Sequence, residues 1–466
     1  MKRYAAVPLL ALSLLVGADS PVGTATEPAG PEPAADLLIV DPVLVDGTGS
    51  PARAVAALVV DGGRIDRIVE RGSSEPIPNA RREVDAEGLF AIPGLWDMHV
   101  HLADAREPAL PLLLVHGVTG IRDMGGDLTE LRAWRERTRD GRLPGPRIRF
   151  SGPMLESPAH MEGARERGVS AAKLRNHWPV GDVAEARAAV ERLAESGADF
   201  VKGRNYASPE VFHAIADAAR EAGLDFVGHP PWELPPAEAA RAGMDSFEHG
   251  FYPWPPGALD DAERRELVDA LVANGTALVP TLVSWERRTV PFARAEALVE
   301  DAVGLLDLRR RFVAPALVAS WRQGLENRGR EGREQGWREV LDRHAAEIAR
   351  FHREGVRVLP GSDLAGTLVY PGSSLHEELA LFVEKAGMTP MEALQSATRD
   401  AAELLHLGDV LGTIETGKQA DIVLLGADPL ADIRNLAAVR GVVSRGRYYD
   451  PEKLSALLDE VRAAVR

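Results

Sequence analysis

Four histidines, one lysine and one aspartate stand where short apolar runs end. They are His99 and His101 in GLWDMHVH, Lys202 in ADFVK, His229 in DFVGH, His249 in DSFEH and Asp363 in RVLPGSD. Imidazoles and carboxylates are the donors left for a divalent ion when no thiolate is available, and this chain has no cysteine. His99 and His101 are one residue apart, so on a strand both rings project to the same face and can grip one ion. An H-x-H pair alone is weak evidence, because ordinary hydrogen-bonded histidines produce it more often. His229 and His249 close two successive runs, however, and two unrelated core histidines explain that recurrence poorly. Asp363 adds a carboxylate able to ligate an ion and to accept a proton from a metal-bound water.

Lys202 does not belong in that set as an ammonium, because a buried cation among imidazoles and metal ions is costly. It must be neutral or chemically changed. Carbamylation by carbon dioxide would turn it into an anion with two oxygens, able to bridge two metals. The ordinary alternative is a lysine paired with an acid such as Asp199 or Glu248.

Such groups need a scaffold whose strand ends converge. Eight apolar runs read as strands: 94–101, 117–123, 147–152, 199–203, 225–229, 245–249, 277–281 and 357–363. Helical text such as VAEARAAVERLAESG and SPEVFHAIADAAREAG falls between most of them, each ending at Gly. Eight βα units predict an α/β fold, a closed (β/α)8 TIM barrel over 93–406, with reactive groups at the C-terminal ends of its strands. The connection before the last strand is too long, so 284–337, rich in Gly and charge near its end, reads as a lid insertion. Helical apolar spacing at Val340, Leu341, His344, Ile348 and Phe351 gives the barrel its own seventh helix. Turn-punctuated β-branched text occupies 36–92 and returns at 407–450, so both ends should build one small β-sandwich. Residues 451–466 read as a C-terminal helix.

Composition narrows the partners. With 54 Lys and Arg against 70 Asp and Glu, the net charge of −16 disfavours nucleic acid and anionic membranes and leaves a small-molecule substrate. Lys2 and Arg3 precede an apolar run from Ala5 to Ala18, too short for the roughly 20 residues that span a bilayer. It reads as a signal peptide over 1–18 followed by a Pro- and Gly-rich linker over 19–35, which makes the protein exported, periplasmic or secreted. No cysteine follows the run, so no lipid anchor is expected. A homo-oligomer stays open.

The segments GLWDMHVHL, GVTGIRDMGG, ADFVKGRNY, GHP, AGMDSFEHG, GSDLAG, MTPMEALQSAT and LGTIETGKQADIVLLGADPL together resemble the amidohydrolase superfamily, over about 45–433. The similar branch holds Xaa-Pro and related dipeptidases, imidazolonepropionases and fungal ochratoxin-hydrolysing amidases. By that resemblance His99, His101 and Asp363 hold one divalent ion and His229 and His249 a second, with zinc the expected identity. Lys202, as the carbamate, bridges them. The implied reaction is attack of a shared hydroxide on a carbonyl, with Asp363 passing the proton to the leaving amine. His160 matches a histidine that touches the substrate in this branch, although the glycines usual before it are absent and a surface-loop histidine is the other reading. Relatives place an aromatic residue or His shortly after the strand-five ligand. Here Pro230, Pro231 and Trp232 follow, so recognition has moved. Arg204 and Tyr206, just past Lys202, could bind a substrate carboxylate or simply be solvated loop residues. Trp232, Phe251, Tyr252 and Trp254 suggest an apolar, aromatic-lined pocket. His376 and Glu377 recur in relatives near the last barrel helix and read as structural; His116, His177, His213, His344, His352 and His406 carry no functional reading.

The expected activity is hydrolysis of an amide bond in dipeptides or N-acyl amino acids. A lactonase, phosphotriesterase or cyclic amide hydrolase could use the same two metals. A mononuclear deaminase would not need Lys202, and a non-catalytic binding protein would not need all six metal-site residues.

Overall fold

Both chain ends supply β-branched text, and the two are hydrogen-bonded into one nine-stranded sheet in the computed structural model, which describes residues 35–167, 169, 174–249, 259–328 and 334–466. The expected leader, the linker before Ala35, and Phe251, Tyr252 and Trp254 lie outside the described residues. The N-terminal strands are β1 (Ala35–Val40), β2 (Val43–Leu44), β3 (Arg53–Asp61), β4 (Arg64–Glu70), β5 (Ala80–Asp85) and β6 (Phe90–Pro93). Asp61-Gly62-Gly63-Arg64 makes the β3–β4 hairpin, both glycines having positive φ, 52° and 75°, as a twisted two-residue turn demands. Three strands from the other end, β16 (Ile422–Leu425), β17 (Val439–Ser444) and β18 (Arg447–Tyr449), continue the sheet through an antiparallel β16–β6 pairing. The hydrogen bonds trace one path, β18-β17-β16-β6-β2-β3-β1-β5, with β4 on β3.

The middle of the chain is a curled parallel sheet. Seven of the eight predicted runs are strands: β7 (Leu95–Val100), β8 (Val118–Asp123), β9 (Arg147–Phe150), β12 (Phe200–Gly203), β13 (Asp225–Gly228), β14 (Met244–Glu248) and β15 (Ala277–Val279). Two further strands, β10 (Met154–Glu156) and β11 (His177–Pro179), were not anticipated and add to the edge of β12. The Asp199 amide donates to the Phe150 carbonyl at 2.9 Å and so joins β9 to β12.

The eighth predicted run is not a regular strand. Residues 357–364 run between β15 and β7 through isolated parallel bridges, Leu278 to Val358 and Val100 to Leu364. Met98 donates to Pro360 O at 2.9 Å, Asp363 to His99 O at 2.8 Å and His101 to Leu364 O at 2.8 Å. Pro360 has no amide to give and Asp363 sits at φ 56°, which breaks the ladder while keeping the segment in place. Gly361 permits the approach, because a Cβ there would lie 2.6 Å from that of His99.

The amphipathic helices form as read. Val183–Glu195 is capped by Asp182 and Pro209–Ala222 by Ser208, whose side chains accept amides of their first turns. The 284–337 insertion, read from sequence as a lid, is largely helical where it is described. It holds helices at Leu282–Arg287, Phe292–Glu300 and Pro315–Arg328, and its last residues belong to the helix Glu334–Arg353. Apolar side chains at helical spacing, Leu317, Val318, Trp321 and Leu325, are buried in the main core, so packing overrides the local glycines. The C-terminal helix spans Pro451–Ala464. Among the described residues no helix is long and apolar enough to cross a membrane.

Candidate metal centre

His99 lies on β7, Lys202 on β12, and His229 and His249 immediately follow β13 and β14; the β12–β13–β14 register sets the last three side by side, and the 357–364 segment bridges β7 to the same sheet. In the parallel ladder Lys202 pairs with Val227 and Gly203 with Gly228. A Cβ on Gly228 would fall 2.0 Å from the Gly203 carbonyl oxygen, so only glycine lets the chains come this close next to Lys202 and His229. The His99 and His249 rings are 4.8 Å apart between centroids, His229 and His249 5.1 Å, and His99 and His101 5.2 Å. Asp363 Oδ1 lies 3.7 Å from His99 Nε2 and 3.8 Å from His101 Nε2. One donor atom each from His99, His249 and Asp363 falls within 4.8 Å of the others, a group that could hold a metal ion.

Burial sets the charge state of this cluster. It pushes His99, His229 and His249 well below the ordinary histidine range, assisted at each by the nearby Lys202 charge. The same burial lowers Lys202 to about 7 and raises Asp363 to about 6. Lys202 is 1% exposed and its Nζ has no hydrogen-bond partner among the described residues; His99 Nε2 has none either. Neither Asp199 nor Glu248 is hydrogen-bonded to the lysine, since Asp199 pairs with Arg135 and Arg149 instead.

Glu248 is the residue that sequence reasoning underrated. It is fully buried, its Oε2 lies 2.7 Å from His99 Nδ1, and its Oε1 accepts from Arg122 Nη2 at 2.8 Å and Ser246 Oγ at 2.5 Å. A carboxylate on Nδ1 makes that nitrogen the protonated one and turns the Nε2 lone pair toward Asp363. His249 Nδ1 is similarly 2.9 Å from Thr281 Oγ1, and Ser284 donates to Asp363 Oδ2 at 3.0 Å. Asp97 accepts from the amide and hydroxyl of Ser362, beside Asp363. The signal for Asp97, Arg122 and Glu248 was partly legible: each is a charged residue inside a strand whose residues are nearly all buried.

The model of the Amidohydrolase family matches residues 90–448, a span that contains all of these groups. The chain belongs to the amidohydrolase family. Ochratoxinase from Aspergillus niger is 25% identical over 451 residues, covering 84% of this chain and 81% of its own. Imidazolonepropionase from Pseudomonas putida is 26% identical over 383 residues, covering 81% and 89%. Among solved structures, a Xaa-Pro dipeptidase with methionine in its active site superposes with a TM-score of 0.68 at 24% identity, covering 89% of this chain and 99% of that one. This amidohydrolase is therefore a hydrolase.

Its predicted substrate residues fall into three places. His160, on the helix Pro158–Glu166, and Arg204 both reach Glu156, His160 Nε2 and Arg204 Nε each lying 3.2 Å from Oε1. His177, given no function from sequence, is 2.5 Å from Glu156 Oε2. Tyr206 is instead a core residue, buried edge-on against Phe212 at 5.0 Å and Phe226 at 6.3 Å. Trp232 is half exposed. His376 and Glu377 are structural contacts: His376 Nε2 meets the His116 carbonyl at 2.8 Å, and Glu377 takes Arg287 and Arg309 from the insertion.

Proposed function

We propose that this amidohydrolase cleaves the amide bond of dipeptides or N-acyl amino acids at a binuclear metal centre in a (β/α)8 barrel, the 357–364 segment serving as its eighth strand. The single observation that carries this reading is the buried Lys202 amine, without a hydrogen bond, beside His99, His229, His249 and Asp363. A near-neutral amine in a dry site is the form that carbon dioxide can convert to a carbamate, and an anion there fits between two cations as an ammonium does not. The donor set fits as well, since burial favours the neutral, coordinating form of His99, His229 and His249. His99, His101 and Asp363 would hold one ion, His229 and His249 the other, and the Lys202 carbamate both, with zinc the expected identity.

When bound, the ions would polarise the scissile carbonyl and activate a water for attack. Ser284 fixes one oxygen of Asp363 and leaves the other facing the histidines. The second oxygen of Asp363 would then take a proton from the attacking water and pass it to the leaving nitrogen. Arg204 is the clamp assigned to the free carboxylate of the substrate, and His160 stands beside it. The relatives named Xaa-Pro dipeptidase and imidazolonepropionase support the carbon–nitrogen bond as the one broken.

The test is metal analysis combined with turnover on dipeptides, N-acyl amino acids, lactones and phosphotriesters. Two equivalents of metal and preference for amides are expected. Lys202→Ala should lose most activity, at least a hundredfold, and regain part of it with added short carboxylic acids. Metal-free active enzyme, a fully active Lys202→Ala, or faster turnover of a lactone or phosphotriester would each overturn the reading.

A further inference from the structure

Glu156 ends β10, a strand with no counterpart in the expected barrel, and its carboxylate collects four side chains. Oε2 is 2.5 Å from His177 Nδ1. Oε1 accepts from Asn205 Nδ2 at 2.7 Å and lies 3.2 Å from both Arg204 Nε and His160 Nε2. Glu156 is 3% exposed, so this is an interior carboxylate. Burial pushes its pKa up, but the His177 hydrogen bond, the Arg204 charge and the Asn205 amide outweigh that and bring it to about 2.

The backbone is built to deliver the contact. The Arg204 amide donates to Leu155 O at 3.0 Å and the Ser157 amide to Asn205 O at 2.9 Å, so β10 is stitched to the turn just past Lys202. That turn passes through Asn205 at φ 47°, a left-handed conformation that asparagine tolerates better than most residues. Arg204 itself is held from one side. Its Nε is buried and faces Glu156 without hydrogen-bond geometry, whereas the side chain as a whole keeps 31% exposure. The exposed part is therefore the terminal Nη edge, the edge that binds a carboxylate with two parallel hydrogen bonds.

We propose that Glu156 is the positioning residue of the substrate-carboxylate clamp: it anchors the inner side of Arg204, through the β10 insertion, and so presents the Nη edge to the free carboxylate of an amino acid or peptide. This rests on the reading of Arg204 as that clamp. A long arginine carries large rotamer freedom, and fixing it before the substrate arrives removes that cost from binding. Glu156 also cancels the arginine charge in the empty site, so discrimination comes from geometry and hydrogen bonding more than from net charge.

The experiment compares N-acetyl-L-leucine with N-acetyl-L-leucinamide as substrates, and L-leucine with L-leucinamide as calorimetric ligands, on metal-loaded wild type, Glu156→Gln, Glu156→Asp, Arg204→Gln and the double variant Glu156→Gln/Arg204→Gln. The readout is the carboxylate-to-amide ratio of KM, or of Kd, which does not depend on how much of a preparation is folded. Glu156→Gln should raise that ratio about fivefold, the loss of the 3.2 Å ion pair that holds the inner side of Arg204. Glu156→Asp, which keeps the charge, should raise it less. Glu156→Gln should add nothing once Arg204 is Gln. An unchanged ratio in Glu156→Gln, a ratio that falls, or an equal effect in the Arg204→Gln background overturns the proposal. If wild type hydrolyses neither acyl compound but the L-leucine Kd ratios follow the expected pattern, amide hydrolysis fails and the clamp stands. If Arg204→Gln leaves both ratios unchanged, the clamp and its positioning residue fail together.

Discussion

Glu248→Gln changes one atom and nothing of the shape, yet the surroundings of Glu248 leave the amide no satisfactory orientation. One carboxylate oxygen meets His99 Nδ1 at 2.7 Å; the other accepts from Arg122 at 2.8 Å and Ser246 at 2.5 Å. A carboxamide has one acceptor and one donor end. If the NH2 faces Arg122, a guanidinium that is 1% exposed loses its only ion-pair partner among the described residues and keeps neutral acceptors such as the Met98 carbonyl. If the NH2 faces His99, the ring must accept at Nδ1 and carry its proton on Nε2, the nitrogen aimed at Asp363. A buried charge left without its partner costs about 3–5 kcal/mol, and a lost hydrogen bond to a charged group about 1.5–3 kcal/mol. Since Ser246 and Met98 soften the first case, we expect about 2–4 kcal/mol off the unfolding free energy of the metal-free protein. The second case appears as metal affinity reduced about 10–100-fold, the usual effect of removing a ligand's supporting carboxylate. Urea denaturation of the apoprotein reads the first and zinc titration against a competing chelator reads the second. A variant that keeps wild-type stability within about 1 kcal/mol and wild-type zinc affinity would refute this account of Glu248.

Two further outcomes follow from burial. Glu156 is held at about 2 when folded against an ordinary 4.5, so its contribution is fully present above about pH 4.5 and is lost as pH falls through 2. Urea midpoints should therefore show wild type losing on the order of 3 kcal/mol relative to Glu156→Gln between about pH 5 and 2, and parallel pH profiles would contradict it. Trp321→Ala removes a fully buried ring from the insertion, packed 5.1 Å from Tyr370, and should cost about 3–5 kcal/mol in the same assay; a cost under about 1 kcal/mol would mean the insertion is not part of the core.

What the sequence made legible is what periodicity and turn chemistry encode. Short apolar runs bounded by Gly gave seven strands nearly to the residue, and the H-x-H spacing and the run-ending histidines pointed to side chains that gather around His99, His249 and Asp363. The eighth run failed as a regular strand because its identity depends on hydrogen bonds from β7 and β15 that no local pattern announces, and Pro360 removes one of the amides a ladder needs. The helices of the insertion were not legible because its glycines and charges look like loop text, while Leu317, Trp321 and Leu325 are buried in the main core. β10 and β11 are two three-residue strands whose pairing is tertiary. Tyr206 looked like a mouth residue by proximity to Lys202, but the turn after β12 reverses its side chain onto Phe212 and Phe226.

The pKa directions at the centre point the same way. Burial neutralises the lysine and the histidines by lowering them and Asp363 by raising it, so without an ion the cluster moves toward no net charge. Such a cavity is tolerable to a fold only because each group can shed or keep a proton. The same groups become an acceptor set when cations supply the charge that water does not, and the lysine, too buried to remain an ammonium, is the one whose conversion to an anion would balance them. Glu248 and Arg122 stand just outside this exchange. They hold a fixed ion pair behind His99, so the orientation of the first ligand does not vary with the protonation of the rest.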